Sequence, residues 1–235
     1  MAGQYLRGAL IEFTETFPAP VPNVIMFQYN PETMTHTWTP AQSGGTNAPG
    51  QNPSNPLAIT GPPEEAFSFT LAMDAGDTIA DGSAITAGLA TVSGVYPRLA
   101  ALEMLLFPTA PPGGGLVGSV SLALGLSGSA APATSVPASQ LPTALFVWGP
   151  GRIAPVRVTG LTITEKLYDG TSLVPTHAEA QVSLKVLTPQ ELQFVNGPLG
   201  ILATTAATYT AGLREALAIA NLANSVESIF GMLPV

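Results

Sequence analysis

A chain of 235 residues holds one large domain or two small ones, and its 46% hydrophobic content is enough for a substantial core. Charged residues make up only 9%, against roughly 25% in ordinary soluble domains, so a charged solvent coat is scarce and coverage by partners is expected. Seven Lys and Arg against fifteen Asp and Glu leave no basic stripe for nucleic acid, and the absence of cysteine excludes disulfides and thiolate metal sites.

The first two-thirds reads as short strands broken by Gly and Pro. Ala9 to Phe17 alternates loosely until Pro18, Pro20 and Pro22 end it. Val24 to Tyr29 predicts a second strand. Met34, His36 and Trp38 set larger side chains on one face of a third, and Thr33, Thr35, Thr37 and Thr39 fill the other. Between these two lies FQYNPETM, where a strand stops at Asn30-Pro31-Glu32 and resumes. Pro31 cannot donate to a central ladder and biases Asn30 toward extended backbone, so a corner is expected, with Asn30 and Glu32 as turn and capping residues.

Residues 40–63 are too rich in Gly, Asn and Pro for regular structure. AFSFTLAMD alternates cleanly, with Phe67, Phe69, Leu71 and Met73 on one face. DAGDTIADGS, which follows, is read as a solvated loop leading to a helix start. Its oxygens recur at short spacing, but it departs from the twelve-residue calcium-loop pattern. YPRLAALEMLLF predicts a helix with Pro97 in the first turn and Leu99, Leu102, Leu105 and Leu106 on one face. Residues 109–142 predict a second long Gly/Pro-rich loop, with LALGL as a marginal strand.

Three strands close the β region: TALFVWG, IAPVRVTGLTITEKLY and THAEAQVSLKVL. Val156 and Val158 share a face, whereas Leu161 and Ile163 have the opposite parity. A period of two cannot absorb that switch, so a bulge is expected at Gly160. Asp169-Gly170 begins a hairpin connection, and Ala178, Ala180, Val182, Leu184 and Val186 then face the core.

From Leu199 the chain is Ala- and Leu-rich, with no proline until Pro234, and reads as helix. Leu202, Tyr209, Leu213 and Leu217 suggest one apolar stripe; Ile219, Leu222, Val226, Ile229 and Leu233 give a second at steps of three and four. Gly212 is a candidate break between two helices. No run of about 18 uncharged apolar residues predicts a transmembrane helix, and MAGQYLRGALIEF lacks the basic and apolar regions of a secretory leader.

Catalysis needs a nucleophile, base or metal in good geometry, and the candidates are few. His36 sits among strand threonines and His177 at a strand start, both read as edge or surface residues. GLSGS lacks the final glycine of a nucleophile elbow, and PPGGGLVGS lacks a phosphate-loop lysine. No catalytic, cofactor-binding or metal residue is therefore assigned, and no cofactor is expected.

FQYNPETM, EEAFSFTLAMDA, YPRLAALEMLLF, LFVWG and VTGLTITEKLYDGTSLVPTHAEAQVSL, in this order, resemble the tube-like baseplate protein of contractile injection systems, the phage-tail-like particles that fire a spike-tipped tube. The resemblance spans roughly residues 10–189, three-quarters of the chain, and rests on order and spacing. Its motif positions here are Asn30, Pro31 and Glu32, then Trp148 and Gly149, then Asp169 and Gly170, with a displaced Pro175.

The resemblance implies a mainly β (α+β) fold: a tail-tube-like β-barrel or sandwich over 1–190 with one flanking helix. It implies a non-enzymatic ring, typically hexameric, between an inner tube protein and a spike protein, contacting other baseplate subunits. Assembly from the cytoplasm into the particle follows. Many members carry a LysM module, but residues 199–235 show a helical extension instead, so peptidoglycan binding is not carried over. That extension has three readings: packing on its own β-domain, docking Leu222, Val226 and Ile229 on a partner, or lying on a membrane, against which the scarcity of Lys and Arg argues. A tail tube or tail-terminator subunit of a contractile phage is the alternative. A secreted carbohydrate-binding or hydrolytic β-domain lacks its leader, clustered aromatics and paired carboxylates.

Overall fold

A computed structural model describes residues 6–14, 21–41, 61–81, 84–107, 141–195 and 197–232, without the side chains of 13–14, 21–22, 81, 84–86, 197–199 and 223–232. The bulk of both expected Gly/Pro-rich loops, including LALGL, lies outside the described residues. The chain is mainly β with several helices. Its strands are β1 (Ala9–Thr14), β2 (Val21–Met26), β3 (Met34–Thr39), β4 (Glu64–Asp74), β5 (Ala144–Val147), β6 (Ile153–Tyr168) and β7 (Pro175–Val186). The helices are α1 (Ala75–Asp81), α2 (Ala84–Ser93), α3 (Tyr96–Met104), α4 (Pro189–Leu192) and α5 (Gly197–Met232).

All seven strands form one antiparallel sheet in the order β2-β1-β5-β6-β7-β4-β3. Its terminal strands, β2 and β3, are consecutive in the chain and joined by residues 27–33 alone. Six interstrand gaps of about 4.8 Å would separate them by about 29 Å in a flat sheet. Eight Cα steps reach about 28 Å only when fully stretched, and this connection is bent. The sheet is therefore rolled. The rings of Phe69 on β4 and Phe146 on β5 confirm it: their centroids lie 5.6 Å apart although β6 and β7 intervene.

The inside of the roll holds Leu10, Phe27, Phe67, Phe69, Phe146, Val156, Val182 and Leu184, all buried. Helix α3 closes onto the same core through Leu99, Leu102 and its C-cap residue Leu105, with Leu106 packing at the margin, the face that the sequence spacing predicts. The β6–β7 register shifts between Val158 and Gly160, placing the expected bulge and turning Leu161 and Ile163 back toward the core. The β7 alternation is as read: Ala178, Ala180, Val182 and Leu184 are buried, and Val186 packs at the margin.

Three segments differ from the sequence reading. The second strand, read as Val24 to Tyr29, runs Val21–Met26 and takes in Pro22, which an edge strand tolerates on its unpaired side. Asp74 to Ser93, expected to open as a solvated loop, contains α1 and α2; the Asp74 carboxylate accepts from the N–H groups of Gly76 (2.7 Å) and Asp77 (3.4 Å), so it starts a helix instead of shaping an open loop. The C-terminal helix runs unbroken through Gly212. Its packed face also differs. Ala203 and Ala206 are buried against Leu145, Leu187 and Leu192, whereas Leu202, Tyr209 and Leu217 of the expected stripe are exposed. Small side chains let the helix approach the sheet closely, and the leucines then fall outside the contact.

Candidate assembly surfaces

The corner at residues 27–33 is built by the side chains before the proline. Phe27 enters the core, its ring centroid 5.5 Å from that of Phe69 and 6.4 Å from Trp148. Gln28 clamps the end of β4: its Nε2 donates to the Asp74 carbonyl (2.8 Å) and its Oε1 accepts from the Asp74 N–H (3.0 Å). Asn30 clamps the approach to β1, accepting from Gly8 N–H (2.9 Å) and donating to the Leu6 carbonyl (2.9 Å). Tyr29 donates its hydroxyl to Asp77. One short segment is thus fastened to β1 on one side of the roll and to β4 on the other.

The corner motif is met unevenly. Asn30 is the turn residue expected, but it bonds back to the segment that leads into β1 instead of within its own turn. Glu32 is exposed and caps nothing, with no hydrogen bond or ion pair among the described residues. Gln28 carries no signal in the sequence, because a glutamine beside a strand end is ordinary until its two partners are known. Gly8 fits for a spatial reason: a Cβ there would stand 2.7 Å from atoms of both Phe27 and Trp148.

Trp148 and Gly149 form the start of the β5–β6 turn. Trp148 N–H donates to the Arg152 carbonyl (2.9 Å), and Gly149 takes φ +67°. The turn aims Arg152 back over the core, its guanidinium 5.0 Å from the Phe67 ring centroid.

The Asp169-Gly170 turn joins β6 to β7. Asp169 Oδ1 accepts from Thr171 N–H (2.9 Å), Ser172 N–H (2.8 Å) and the Ser172 hydroxyl (2.9 Å), and these bonds hold its carboxyl below the usual range. The left-handed positions are not the glycine but Leu167 (φ 53°) and Leu173 (φ 56°). Both leucines are exposed, by 71% and 72%, so the hairpin ends in an apolar tip whose backbone is strained.

Among the described residues, three further surfaces stand open. The β2 edge shows Val24 and Met26 to solvent. The β3 edge, MTHTWT, has no lysine, proline or bulge to blunt it. Helix α5 shows Leu217, Ile219 and Leu222, each exposed by more than 60%, while Val226 and Ile229 of the expected docking stripe lie outside the described side chains.

Both histidines are paired with carboxylates: His36 Nε2 lies 2.8 Å from Glu65 Oε1, and His177 Nδ1 lies 3.3 Å from Asp74 Oδ2. His36 also stacks on Phe67 at 4.4 Å between ring centroids. The motif residues therefore do not converge on one chemical centre. Asn30 lies at the corner, Trp148 and Gly149 at a turn over the core, and Asp169 and Gly170 at the hairpin tip. No protein-family model matches the chain, and no curated protein matches it.

Proposed function

We propose that this chain is a structural, non-catalytic subunit of a contractile injection particle, forming a hexameric ring between the inner tube protein and the central spike. The observation that carries the reading is that β2 and β3, which end a single rolled sheet, pair with no further strand among the described residues, with Pro22 of β2 the one blunting residue in either. A sheet open at both ends continues from copy to copy when β2 of one meets β3 of the next. Such head-to-tail contacts close into a ring when the rotation allows.

The remaining surface supports the same reading. A chain with 9% charged residues leaves apolar side chains uncovered on β2, on the β6–β7 tip and along α5. Ring neighbours, stacked tube and spike layers and other baseplate subunits would cover them. The sequence resemblance supplies the particle type, and the open edges supply the means of assembly.

Electron microscopy of purified particles tests the proposal. A ring of this chain at the tube–spike junction is expected; density in the sheath or outer plates, or none near the spike, rejects it. Counting copies per particle by quantitative mass spectrometry separates the alternative, since a tail tube subunit recurs along the whole filament.

A further inference from the structure

Helix α5 is fastened to the sheet at two places. The first is an elbow, where Gly200 lies so close to the Val195 carbonyl that a Cβ would collide with it. From there the packed face presents little more than methyl groups, Ala203 and Ala206, toward Leu145 and Leu187. Two hydroxyls add polar stitches: Thr210 accepts from Ile153 N–H (3.3 Å) and donates to the Ile153 carbonyl (2.7 Å), and Tyr209 donates to the Pro150 carbonyl (2.9 Å).

The second fastening lies one turn beyond. Arg214 Nη2 stands 3.1 and 3.3 Å from the two oxygens of Glu65, and its guanidinium lies 4.4 Å from the Trp38 ring centroid. Glu65 is on β4, and its side chain is only 10% exposed. The same carboxylate receives His36 of β3. A mostly desolvated carboxylate is thereby shared between the sheet's last strand and the helix. Leu217 follows on the same helix face yet is exposed by 62%, so the apolar packing on this face does not extend to it. Residues 215–232 then extend past it for about 27 Å.

We propose that Arg214, Glu65 and Trp38 form a releasable latch that decides whether α5 lies on the sheet or lifts from its elbow. With packing this thin, the latch adds to the Tyr209 and Thr210 hydroxyl bonds in holding the helix down. Lifting uncovers the outer apolar face at Leu145 and Leu187 and frees Trp38 beside the open β3 edge. It thus couples two of the surfaces available for assembly. The latch belongs to the isolated chain and stands whether or not the ring reading holds.

Amide hydrogen exchange on the full chain tests it. Arg214 is half-exposed, so Arg214→Ala is expected to speed exchange across residues 200–222 about two- to fivefold, from the loss of a partly screened ion pair. The β4–β7 ladder should keep its rates. Arg214→Lys, which keeps the charge but loses the fork and the flat stacking surface, should fall between. Glu215→Ala, removing the neighbouring charge, should leave the helix unchanged. Wild-type exchange over 200–222 in Arg214→Ala, an equal rise through the sheet, or an equal rise in Glu215→Ala overturns the latch.

Discussion

Asn30 reaches back to Gly8, at the approach to β1: its side-chain Oδ1 accepts the Gly8 N–H at 2.9 Å, while its Nδ2 donates to the Leu6 carbonyl. With Gln28 holding Asp74 on the opposite side, the corner acts as a staple between the two halves of the sheet. Asn30→Asp keeps the shape and the acceptor but removes the donor, setting a carboxylate against the Leu6 carbonyl. The expected loss is about 1–3 kcal/mol in urea unfolding. An Asn30→Asp protein as stable as the parent would show that the staple contributes nothing.

Gly8→Ala probes the same place by volume. The new methyl meets two rings that are already in mutual contact, Phe27 and Trp148. Overpacking of this kind costs about 1–3 kcal/mol. Because Trp148 must move, its fluorescence should shift together with the unfolding midpoint. A shift in neither means that the rings yield freely.

Glu12 sets a pH dependence. It is buried on β1, and burial raises its carboxyl above the usual range, partly offset by the hydrogen bond from Asn23 Nδ2 (3.2 Å). The folded state therefore holds this proton to a higher pH than the unfolded chain does. Its contribution is fully present below the unfolded-state pKa and is lost as pH rises through the folded-state value. Glu12→Gln removes the charge and keeps an acceptor for Asn23. The variant is expected to be more stable than the parent at pH 7, with the difference shrinking as pH falls toward 4. A constant difference across that range contradicts the burial argument.

The β6–β7 tip separates strain from contact. A leucine in the left-handed region costs about 1–2 kcal/mol, whereas glycine gives back about 0.5–1 in backbone entropy. Leu173→Gly is expected to leave monomer stability unchanged or raise it by up to about 1 kcal/mol. If the exposed leucine is a ring or layer contact, the same change weakens particle assembly. Clear destabilisation of the monomer means that Leu173 has a folding role, and the strain argument fails.

Elements whose pattern is local were legible in the sequence. β4 and β7 alternate because one face is buried, the Gly160 bulge follows from a parity change, and Leu99, Leu102 and Leu105 mark the buried face of α3. What was not legible depends on distance. DAGDTIADGS has too many small and polar residues to announce α1, and only the Asp74 cap settles it. The packed face of α5 is hidden because alanines carry little hydropathy contrast, and Leu202 and Leu217 draw the eye to the wrong side. Gln28, Glu65 and Arg214 have no local signal at all, since their partners lie 46 and 149 residues away. Nothing in the spacing of the motif positions says that Asn30 and Trp148 both meet Gly8 whereas Asp169 lies at the hairpin tip.

The overhanging end of α5 offers the most direct test of assembly. Leu222 is exposed, and a surface apolar-to-charged change usually alters monomer stability by no more than about 0.5 kcal/mol. Val226 and Ile229 follow it at steps of four and three in the sequence, so Leu222→Asp, Val226→Asp and Ile229→Asp together place three charges along one stripe. A helix end that only extends into solvent tolerates this, whereas one that docks on a partner must desolvate each carboxylate to bind. The triple variant is expected to retain the β-domain's circular dichroism and cooperative unfolding but to be missing from purified particles. Normal incorporation would show that the overhang has no docking role, leaving the sheet edges and the hairpin tip to carry assembly.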